Sequence, residues 1–153
     1  MLICPVCKKR LIPSGNSFVC TENHSFDLSK SGYLHLLTSK GRNPKLAGDN
    51  AEMVKSRSAF LDKGYYQPLA EKIAKILADS FESKGIVKPV IIDSGCGEGF
   101  YTTSFCKSLP AAYIYGLDIS KNAVNHAAKR ASCDKQNNAF FCVASSFELP
   151  FES

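Results

Sequence analysis

The clearest hydrophobic pattern lies in residues 87–153, where short apolar runs alternate with amphipathic stretches. Residues 87–92 (VKPVII), 112–117 (AYIYGL) and 139–144 (AFFCVA) are apolar and rich in β-branched or aromatic side chains. Continuous runs of this kind are typical of strands buried on both faces of a parallel sheet. Helices are predicted between them, from Tyr101 to Leu109 and from Lys121 to Ala131. The alternation predicts an α/β unit with a parallel sheet.

Two amphipathic helices are predicted ahead of this unit. The first begins at Asp49, where Asp49 and Glu52 have capping-box spacing, and it ends at Gly64. The second runs from Gln67 to Ser83, with a proline in its first turn. The apolar positions expected to face a core are Met53, Ala59, Phe60 and Leu61 in the first helix and Leu69, Ile73, Ile76, Leu77 and Phe81 in the second.

The first 38 residues contain short apolar pairs instead of long periodic runs. Residues 11–12 (LI) and 18–19 (FV) flank the turn signal PSGN, which predicts a small β-hairpin. Residues 39–48 are basic and rich in Gly, Asn and Pro, as is typical of an exposed linker. The pattern therefore predicts a small β domain over 1–38, a linker over 39–48 and an α/β domain over 49–153.

Four candidate metal ligands lie in the predicted β domain. Their spacing is C-x2-C-x12-C-x3-H, which provides three thiolates and one imidazole for a tetrahedral Zn²⁺ with no open coordination position. So short a segment cannot bury enough apolar surface to be stable alone, and the metal is therefore expected to be structural. The predicted ligands are Cys4, Cys7, Cys20 and His24.

A glycine-rich turn follows the first predicted strand of the α/β domain, where residues 93–102 read DSGCGEGFYT. Gly95 and Gly97 lack Cβ atoms, so the backbone can adopt a positive φ and a ligand can approach it closely. Phe100 stands where the dinucleotide fingerprint has its third small residue. No Lys-Ser/Thr pair follows, so the turn is not a Walker phosphate loop.

Two carboxylates are expected beside this turn. Asp93 ends the first strand, and Asp118 ends the second at the position where open α/β sheets hold the carboxylate that accepts ribose hydroxyls. Ala144 and Ser145 follow the third strand and are expected at the same edge of the sheet. A structural turn alone would explain the glycines, but the strands, acids and turn together resemble class I S-adenosylmethionine (SAM) methyltransferases.

Composition and charge add a nucleic-acid partner to this interpretation. The chain has 153 residues, of which 44% are hydrophobic, and a net charge of +5. Residues 1–48 contain seven lysines and arginines against two acids, so they carry all of the excess charge. A basic surface favours an acidic partner, most commonly nucleic acid. The alternative is a solvated basic surface without a partner.

The number of cysteines and the length of the apolar runs indicate the cellular compartment of the protein. The sequence shows no signal peptide and no apolar run of the ~20 residues that span a membrane. Seven cysteines in such a chain favour a reducing compartment. We therefore predict a cytoplasmic protein with no membrane partner. The cysteines outside the metal set are expected to pack as small hydrophobes, and they are Cys96, Cys106, Cys133 and Cys142.

Both halves together resemble the RlmA-type methyltransferases, which modify N1 of a guanine in a hairpin loop of bacterial 23S rRNA. The resemblance spans the whole chain. It rests on the Cys3His set and on the segments FDLSKSGYLHLL, GDNAEMVKSRSAFLDKGYYQPL, DSGCGEGFYT and GLDISKNAV. The segment 48–69 is the most specific of these, because generic SAM domains lack it.

The resemblance implies a fold, an activity and further site residues. The first domain would be a zinc-bound rRNA-recognition module, and the second the N-terminal part of a Rossmann-like SAM domain. Tyr66, Gly97 and Glu98 would contact SAM, and Asp118 would hold its ribose hydroxyls. Some family members confer resistance to macrolide-type antibiotics. The general base that removes the N1 proton is not identified in this sequence.

The sequence departs from the family at its C-terminal end, because the family continues well past residue 153. The strand at 87–92, which should lie in the middle of a complete sheet, is thus predicted to form an open apolar edge. We expect a truncated protein with little activity, or one completed by another chain, including a homodimer. The alternative function is a zinc-ribbon RNA-binding module with an inert SAM domain. A small-molecule methyltransferase would leave the basic zinc segment unexplained.

Overall fold

The computed structural model describes residues 1–38 and 48–152. Residues 39–47, most of the predicted linker, lie outside the described residues. The described residues form seven strands and four helices, and the strands are arranged in two sheets. No helix within these ranges combines the length and hydropathy needed to cross a bilayer.

The first sheet is a small antiparallel sheet of three strands near the N-terminus. Its strands are β1 (Ile12–Ser14), β2 (Ser17–Val19) and β3 (Ser25–Asp27), in the order β1-β2-β3. Ser14 pairs with Ser17, and the turn between them includes Gly15 at a φ of +58°. This turn confirms the hairpin predicted around PSGN.

The second sheet is parallel and contains the predicted α/β unit. Its members in chain order are β4 (Tyr33–His35), β5 (Val90–Ser94), β6 (Tyr113–Asp118) and β7 (Ala139–Val143), arranged as β4-β7-β6-β5. Helices α3 (Phe100–Ser108) and α4 (Lys121–Cys133) connect β5 to β6 and β6 to β7. The three strands β5, β6 and β7 and the two helices α3 and α4 were predicted from the sequence, and all five are confirmed to within about three residues at their ends.

The strand β4 joins the first third of the chain to the second sheet. It pairs in parallel with β7, with Leu34 opposite Cys142 and both fully buried. The main chain continues this ladder, because the N–H of Leu36 donates to the carbonyl of Val143 at 2.9 Å. This pairing was not predicted from the sequence. The domain boundaries at 38 and 48 stay predictions.

One hydrophobic core extends from the metal ligands into the parallel sheet. Cys4 and Cys20 pack in the same cluster as Leu34, Leu117 and Ala144. The chain termini meet beside it, where Leu2 forms an antiparallel bridge with Phe151. The small first sheet and the larger second sheet are thus joined by packing as well as by the strand β4.

Helix α1 (Ala51–Leu61) corrects the predicted N-cap. The capping box of Asp49 and Glu52 is wrong, because Asn50 is the cap and its Oδ1 accepts a hydrogen bond from the N–H of Met53 at 2.9 Å. The buried face is Val54, Ser58 and Leu61. Of the four apolar positions predicted to face the core, only Leu61 is buried; the others are exposed.

Helix α2 (Gln67–Ser83) has the predicted bounds, with Pro68 in its first turn. Ile73, Leu77 and Phe81 pack against the core formed with α3 and β6, as predicted. Leu69 and Ile76 are exposed, and the two fully buried positions are small alanines. The sheet edge is β5, with Val90 64% and Ile92 41% exposed, which agrees with the predicted open apolar edge.

The cysteines outside the metal set divide into two groups. Cys96, Cys106 and Cys142 are buried, as predicted. Cys133 is exposed at the last position of α4, so the prediction that it packs in a core is wrong.

Candidate metal centre and cofactor site

The four predicted metal ligands come together in the first domain. Their ligand atoms all lie within 4.8 Å of one another. The Sγ atoms of Cys7 and Cys20 are 3.5 Å apart, and the Nδ1 atom of His24 lies 3.6 Å from Cys4 Sγ and 3.4 Å from Cys20 Sγ. Zn–S bonds of ~2.3 Å in a tetrahedron place ligand atoms roughly 3.5–3.8 Å apart, so the cluster fits Zn²⁺.

Two tight turns hold these ligands in place. In the first, the N–H of Lys8 donates to the carbonyl of Cys4 at 2.9 Å, and Lys8 has a φ of +61°. In the second, the N–H of Asn23 donates to the carbonyl of Cys20 at 2.9 Å, with Asn23 at a φ of +59°. Cys4 and Cys20 are buried, so this is a closed, structural type of site.

The glycine turn lies at the carboxyl end of β5 and is fixed to the next strand. The N–H groups of Gly95 and Cys96 both donate to the carbonyl of Leu117, at 2.7 and 2.8 Å. Gly95 and Gly97 have φ values of +87° and +57°. A Cβ at Gly95 would meet nothing within 4 Å, and at Gly97 only an Arg57 nitrogen at 3.8 Å. The turn therefore presents open backbone to a ligand.

Asp118 ties the end of β6 to this turn. Its Oδ2 accepts a hydrogen bond from the N–H of Gly97 at 3.0 Å, and its Oδ1 accepts one from the N–H of Ser120 at 2.7 Å. Each carboxylate oxygen can still accept a second hydrogen bond. The structure thus places Asp118 beside the glycine turn, as predicted, and shows a bracing role that the sequence did not.

Asp93 lies at the same edge and faces helix α3. Its Oδ2 accepts a hydrogen bond from the Thr102 hydroxyl at 2.6 Å. Burial raises the pKa of Asp93, the Thr102 hydrogen bond opposes this, and the nearby charge of Asp118 adds to the rise. Thr102, which is completely buried, was not predicted as a site residue.

Glu98 and Tyr66 both lie near Tyr101. Glu98 is only 3% exposed. Tyr66 is the N-cap residue of α2 and packs edge-on against Phe60. Burial raises the pKa of Tyr101, and the proximity of Tyr66 and Glu98 raises it further. A buried acid is stabilised by a cationic group beside it, so Glu98 is suited to a cationic part of a ligand.

Ala144 and Ser145 complete the edge at the end of β7. Both are buried, and the N–H of Ala144 donates to the carbonyl of Asp118 at 3.0 Å. The three strand ends therefore form a continuous rim, with the glycine turn at one side. Open α/β sheets bind ligands at this kind of edge.

Comparison with known proteins assigns both halves of the chain. The family described as "RlmA, N-terminal", a zinc ribbon, matches residues 2–45, and the family described as a methyltransferase domain matches residues 87–153. The chain thus combines a zinc ribbon with a methyltransferase domain. The resemblance stated from the sequence is confirmed at this level.

Curated relatives match most of this chain. One is a putative 23S rRNA (guanine-N(1)-)-methyltransferase of Micromonospora griseorubida, 34% identical over 84% of this chain and 47% of the relative. A Bacillus subtilis protein of the same description is 36% identical over 84% of this chain and 46% of its own length. The 23S rRNA (guanine(748)-N(1))-methyltransferase of Streptomyces fradiae is 36% identical, with coverages of 84% and 44%. The chain spans about half the length of these relatives.

A solved structure agrees with the fold of this chain. It is described as a putative S-adenosyl-L-methionine-dependent methyltransferase from Methanococcus maripaludis. It has a TM-score of 0.58 and 20% sequence identity, and the match covers 76% of this chain and 49% of that one. This likeness supports the predicted Rossmann-like class, with its parallel sheet and flanking helices.

The structure also shows site residues that were not predicted from the sequence. Arg57 on α1 pairs with Asp49 and reaches the glycine turn. The Ser120 hydroxyl donates to the carbonyl of Asp49 at 2.6 Å, and a Cβ at Gly48 would lie only 2.7 Å from Ser120 Cβ. The start of α1 therefore docks closely against the cofactor edge. Gly48 and Asp49 begin the segment most specific to the resemblance, which was the available signal.

Proposed function

We propose that this chain supplies the RNA-recognition and cofactor-binding parts of a SAM-dependent 23S rRNA (guanine-N1)-methyltransferase. The observation that carries the proposal is the Asp118 carboxylate, joined to the open glycine turn at the carboxyl edge of a parallel sheet. The names of the relatives support the methyl-transfer reaction and the guanine N1 atom as its target. The chain spans about half the length of those relatives. The methyl-transfer activity of the whole protein is therefore proposed here together with the roles of this chain.

Each strand end has a proposed role toward the cofactor. Asp118 would accept the ribose hydroxyls, and the backbone of Gly95 and Gly97 would contact the cofactor directly. Ala144 and Ser145 lie next to Asp118, where the base joined to that ribose would extend. The acids Asp93 and Glu98, with Tyr66, would surround the cationic amino-acid end, because carboxylates stabilise positive charge.

The chemistry depends on orientation. When bound, SAM supplies an electrophilic methyl group. The chain would hold the cofactor in one pose at the rim and exclude water, so that guanine N1 can align behind the methyl carbon. The target base must leave its stack to reach this edge. No residue in the described part of the chain is assigned as the base that takes the N1 proton.

The zinc ribbon would bind the hairpin of the rRNA. Its basic residues would contact phosphates, so the affinity for RNA should fall steeply with salt. We also propose that the protein is a homodimer, which sedimentation would test. A cytoplasmic location would agree with the seven cysteines, none of which forms a disulfide in the described structure.

The test is calorimetry followed by methyl transfer. Wild-type chain is titrated with SAM and with S-adenosylhomocysteine, and then incubated with labelled SAM and 23S rRNA. Binding of both ligands is expected, and label in the RNA at guanine N1 would support the full reaction. A folded chain that gives no heat with either ligand would refute the cofactor site.

A second candidate function rests on the exposed edge strand. Val90 and Ile92 on β5 are open to solvent, and among the described residues β5 pairs with a strand on one side only. The chain would then bind RNA without transferring a methyl group. Gel-shift binding of the rRNA hairpin without incorporation of label would favour this alternative.

A further inference from the structure

A cavity of about 480 Å³ lies between the zinc ribbon and the end of β7. One wall is the first metal turn, with Val6; another is Leu36 and Leu37 after β4; the third is Ser145 and Phe147 after β7. Ligand sites in proteins have volumes of about 300–1,000 Å³. None of Asp93, Gly97 or Asp118 lines the cavity, so it is separate from the centre of the proposed cofactor site.

Phe147 is an exposed aromatic residue in the lining of this cavity. It is 91% exposed, although its backbone is held in a tight turn: its N–H donates to the Ser145 hydroxyl at 3.2 Å, and the N–H of Glu148 donates to the carbonyl of Ser145 at 3.1 Å. Val6 faces the same space and is 53% exposed. An exposed aromatic ring on a fixed backbone suits the stacking of an unpaired base.

The charge around the cavity favours RNA over an uncharged ligand. Lys8, Lys9 and Arg10 follow Val6 on the same metal turn, and all three are exposed. Lys8 forms an ion pair with Glu148, which joins the metal turn to the turn that carries Phe147. Lys9 and Arg10 do not line the cavity, but they follow Lys8 on the chain and are exposed, so they can contact the phosphates that flank a bound base.

The position of the cavity connects it with the proposed reaction. Ser145 and Ala144 belong both to its wall and to the proposed cofactor edge. Strand β7 is separated from β5 by β6, a spacing of about 10 Å from β7 to β5. An RNA strand that entered the cavity would therefore pass within one or two nucleotides of the glycine turn.

We propose that this cavity, between the zinc ribbon and the end of β7, binds one unpaired nucleobase of the RNA substrate, stacked on Phe147. The inference rests on the proposed RNA substrate but adds a site to it. The metal turn supplies phosphate contacts, and the Phe147 turn supplies the stacking surface. The zinc ribbon and the methyltransferase domain thus contact the same nucleotide.

The test uses a heptaribonucleotide of uridines with a single central 2-aminopurine, whose fluorescence is quenched on stacking. The variants are Phe147→Leu, which removes the ring but keeps an apolar side chain, and Tyr113→Leu. Tyr113 is a partly exposed aromatic at the opposite, amino end of β6 and is the matched control. Thermal melting checks that both variants are folded, and SAM titration of the same proteins measures the cofactor site.

Wild type and Tyr113→Leu are expected to quench the probe, whereas Phe147→Leu should lose most of the quenching and bind about tenfold more weakly. Its Kd for SAM should be unchanged. If Phe147→Leu weakens SAM and leaves the RNA signal intact, the cavity binds the cofactor's adenine and the inference is wrong. If wild type binds SAM but does not quench the probe, the cavity inference fails while the proposed function stands. If wild type binds neither, both fail.

Discussion

Asp118 joins the glycine turn, the start of α4 and the cofactor edge through one carboxylate. Both of its oxygens accept backbone N–H groups from different segments, at 3.0 Å from Gly97 and 2.7 Å from Ser120. Hydrogen bonds to a charged acceptor are stronger than those to a neutral one. The residue is therefore expected to affect both stability and cofactor binding.

Asp118→Asn should lower both properties. The amide offers one acceptor oxygen, so either Gly97 or Ser120 loses its acceptor and faces an NH2 group instead. We expect a loss of about 2–3 kcal/mol in the free energy of unfolding and a Kd for SAM weaker by about 10- to 100-fold. Urea unfolding and calorimetry measure these. Asp79→Asn, at an exposed position of α2, is the control, and equal SAM affinity in the two variants would contradict the role of Asp118.

Asp93→Asn should separate stability from binding. Because burial raises the folded-state pKa of Asp93 above the ordinary carboxyl value of about 3.9, the charged form destabilises the fold. The free energy of unfolding therefore falls as pH rises from about 3.9 through that raised pKa. The asparagine keeps an acceptor for Thr102, so the variant should have a higher Tm at pH 7 and a weaker affinity for SAM. A lower Tm at pH 7 would show that the carboxylate itself stabilises the fold.

Gly99→Ala tests the packing of α3 on α4. Gly99 has a φ of +83°, and an added Cβ would lie 2.8 Å from Ala127 Cβ and 3.0 Å from Ala127 Cα. Gly64 has nearly the same φ, +81°, but a Cβ there would meet nothing within 4 Å. Gly64→Ala should cost about 1–2 kcal/mol from the backbone alone, and Gly99→Ala about 1–3 kcal/mol more. Chemical denaturation of both variants gives the difference, and equal losses would exclude a helix–helix contact.

At the level of elements, α1 is the helix that the sequence described least well. Its cap, its buried face and its contacts all differ from the prediction in part. The cap could not be predicted because the adjacent Asp49 and Asn50 are both good N-cap residues, and only tertiary contacts determine which of them caps the helix. Arg57 holds Asp49, which leaves Asn50 to cap the helix. The buried Ser58 has a partner that lies 72 residues away, and no local pattern contains such information.

Arg130→Lys should loosen α1. The Arg130 guanidinium donates to Asp62 Oδ1 and to Ser58 Oγ, both at 2.7 Å, and so links α4 to α1. A lysine ammonium cannot reproduce this planar, two-point contact. We expect faster hydrogen exchange over residues 51–61, and weaker SAM binding because Arg57 and Asp49 belong to the same segment. Lys129→Arg on the exposed side of α4 is the control, and unchanged exchange in α1 would contradict the link.

The pairing of strand β4 could not be predicted from the local sequence pattern. The run from Tyr33 to Leu37 is apolar, so burial was predictable, but the partner strand β7 begins more than 100 residues later in the chain. By contrast, β6 and α4 follow from runs and a cap within their own sequence, and Ser120 indeed caps α4 at 3.2 Å from the N–H of Ala123. Residue spacing therefore predicted the α/β unit and the metal ligands, and the connection between them required the structure.

At the scale of the whole molecule, the zinc ribbon and the methyltransferase domain share one core. The metal ligands Cys4 and Cys20 belong to the same buried cluster as Leu117 and Ala144, which lie next to the cofactor edge. The strand β4 continues that connection along the backbone of β7. The metal centre should consequently support the geometry of the cofactor site, although none of its ligands reaches that site.

Removal of zinc should therefore weaken SAM binding as well as unfold the ribbon. Without the metal, the segment 1–24 has too little apolar surface to hold its fold, and Cys4, Cys20 and Leu34 would lose their packing against Leu117. We expect chelator-treated protein, and Cys7→Ser, to lose protection from hydrogen exchange in β4 and β7 and to bind SAM at least about tenfold more weakly. Cys133→Ser, which changes an exposed thiol outside the cluster, should match wild type. Metal-free protein with protected strands and an unchanged Kd for SAM would mean that the two domains are energetically independent despite their common core.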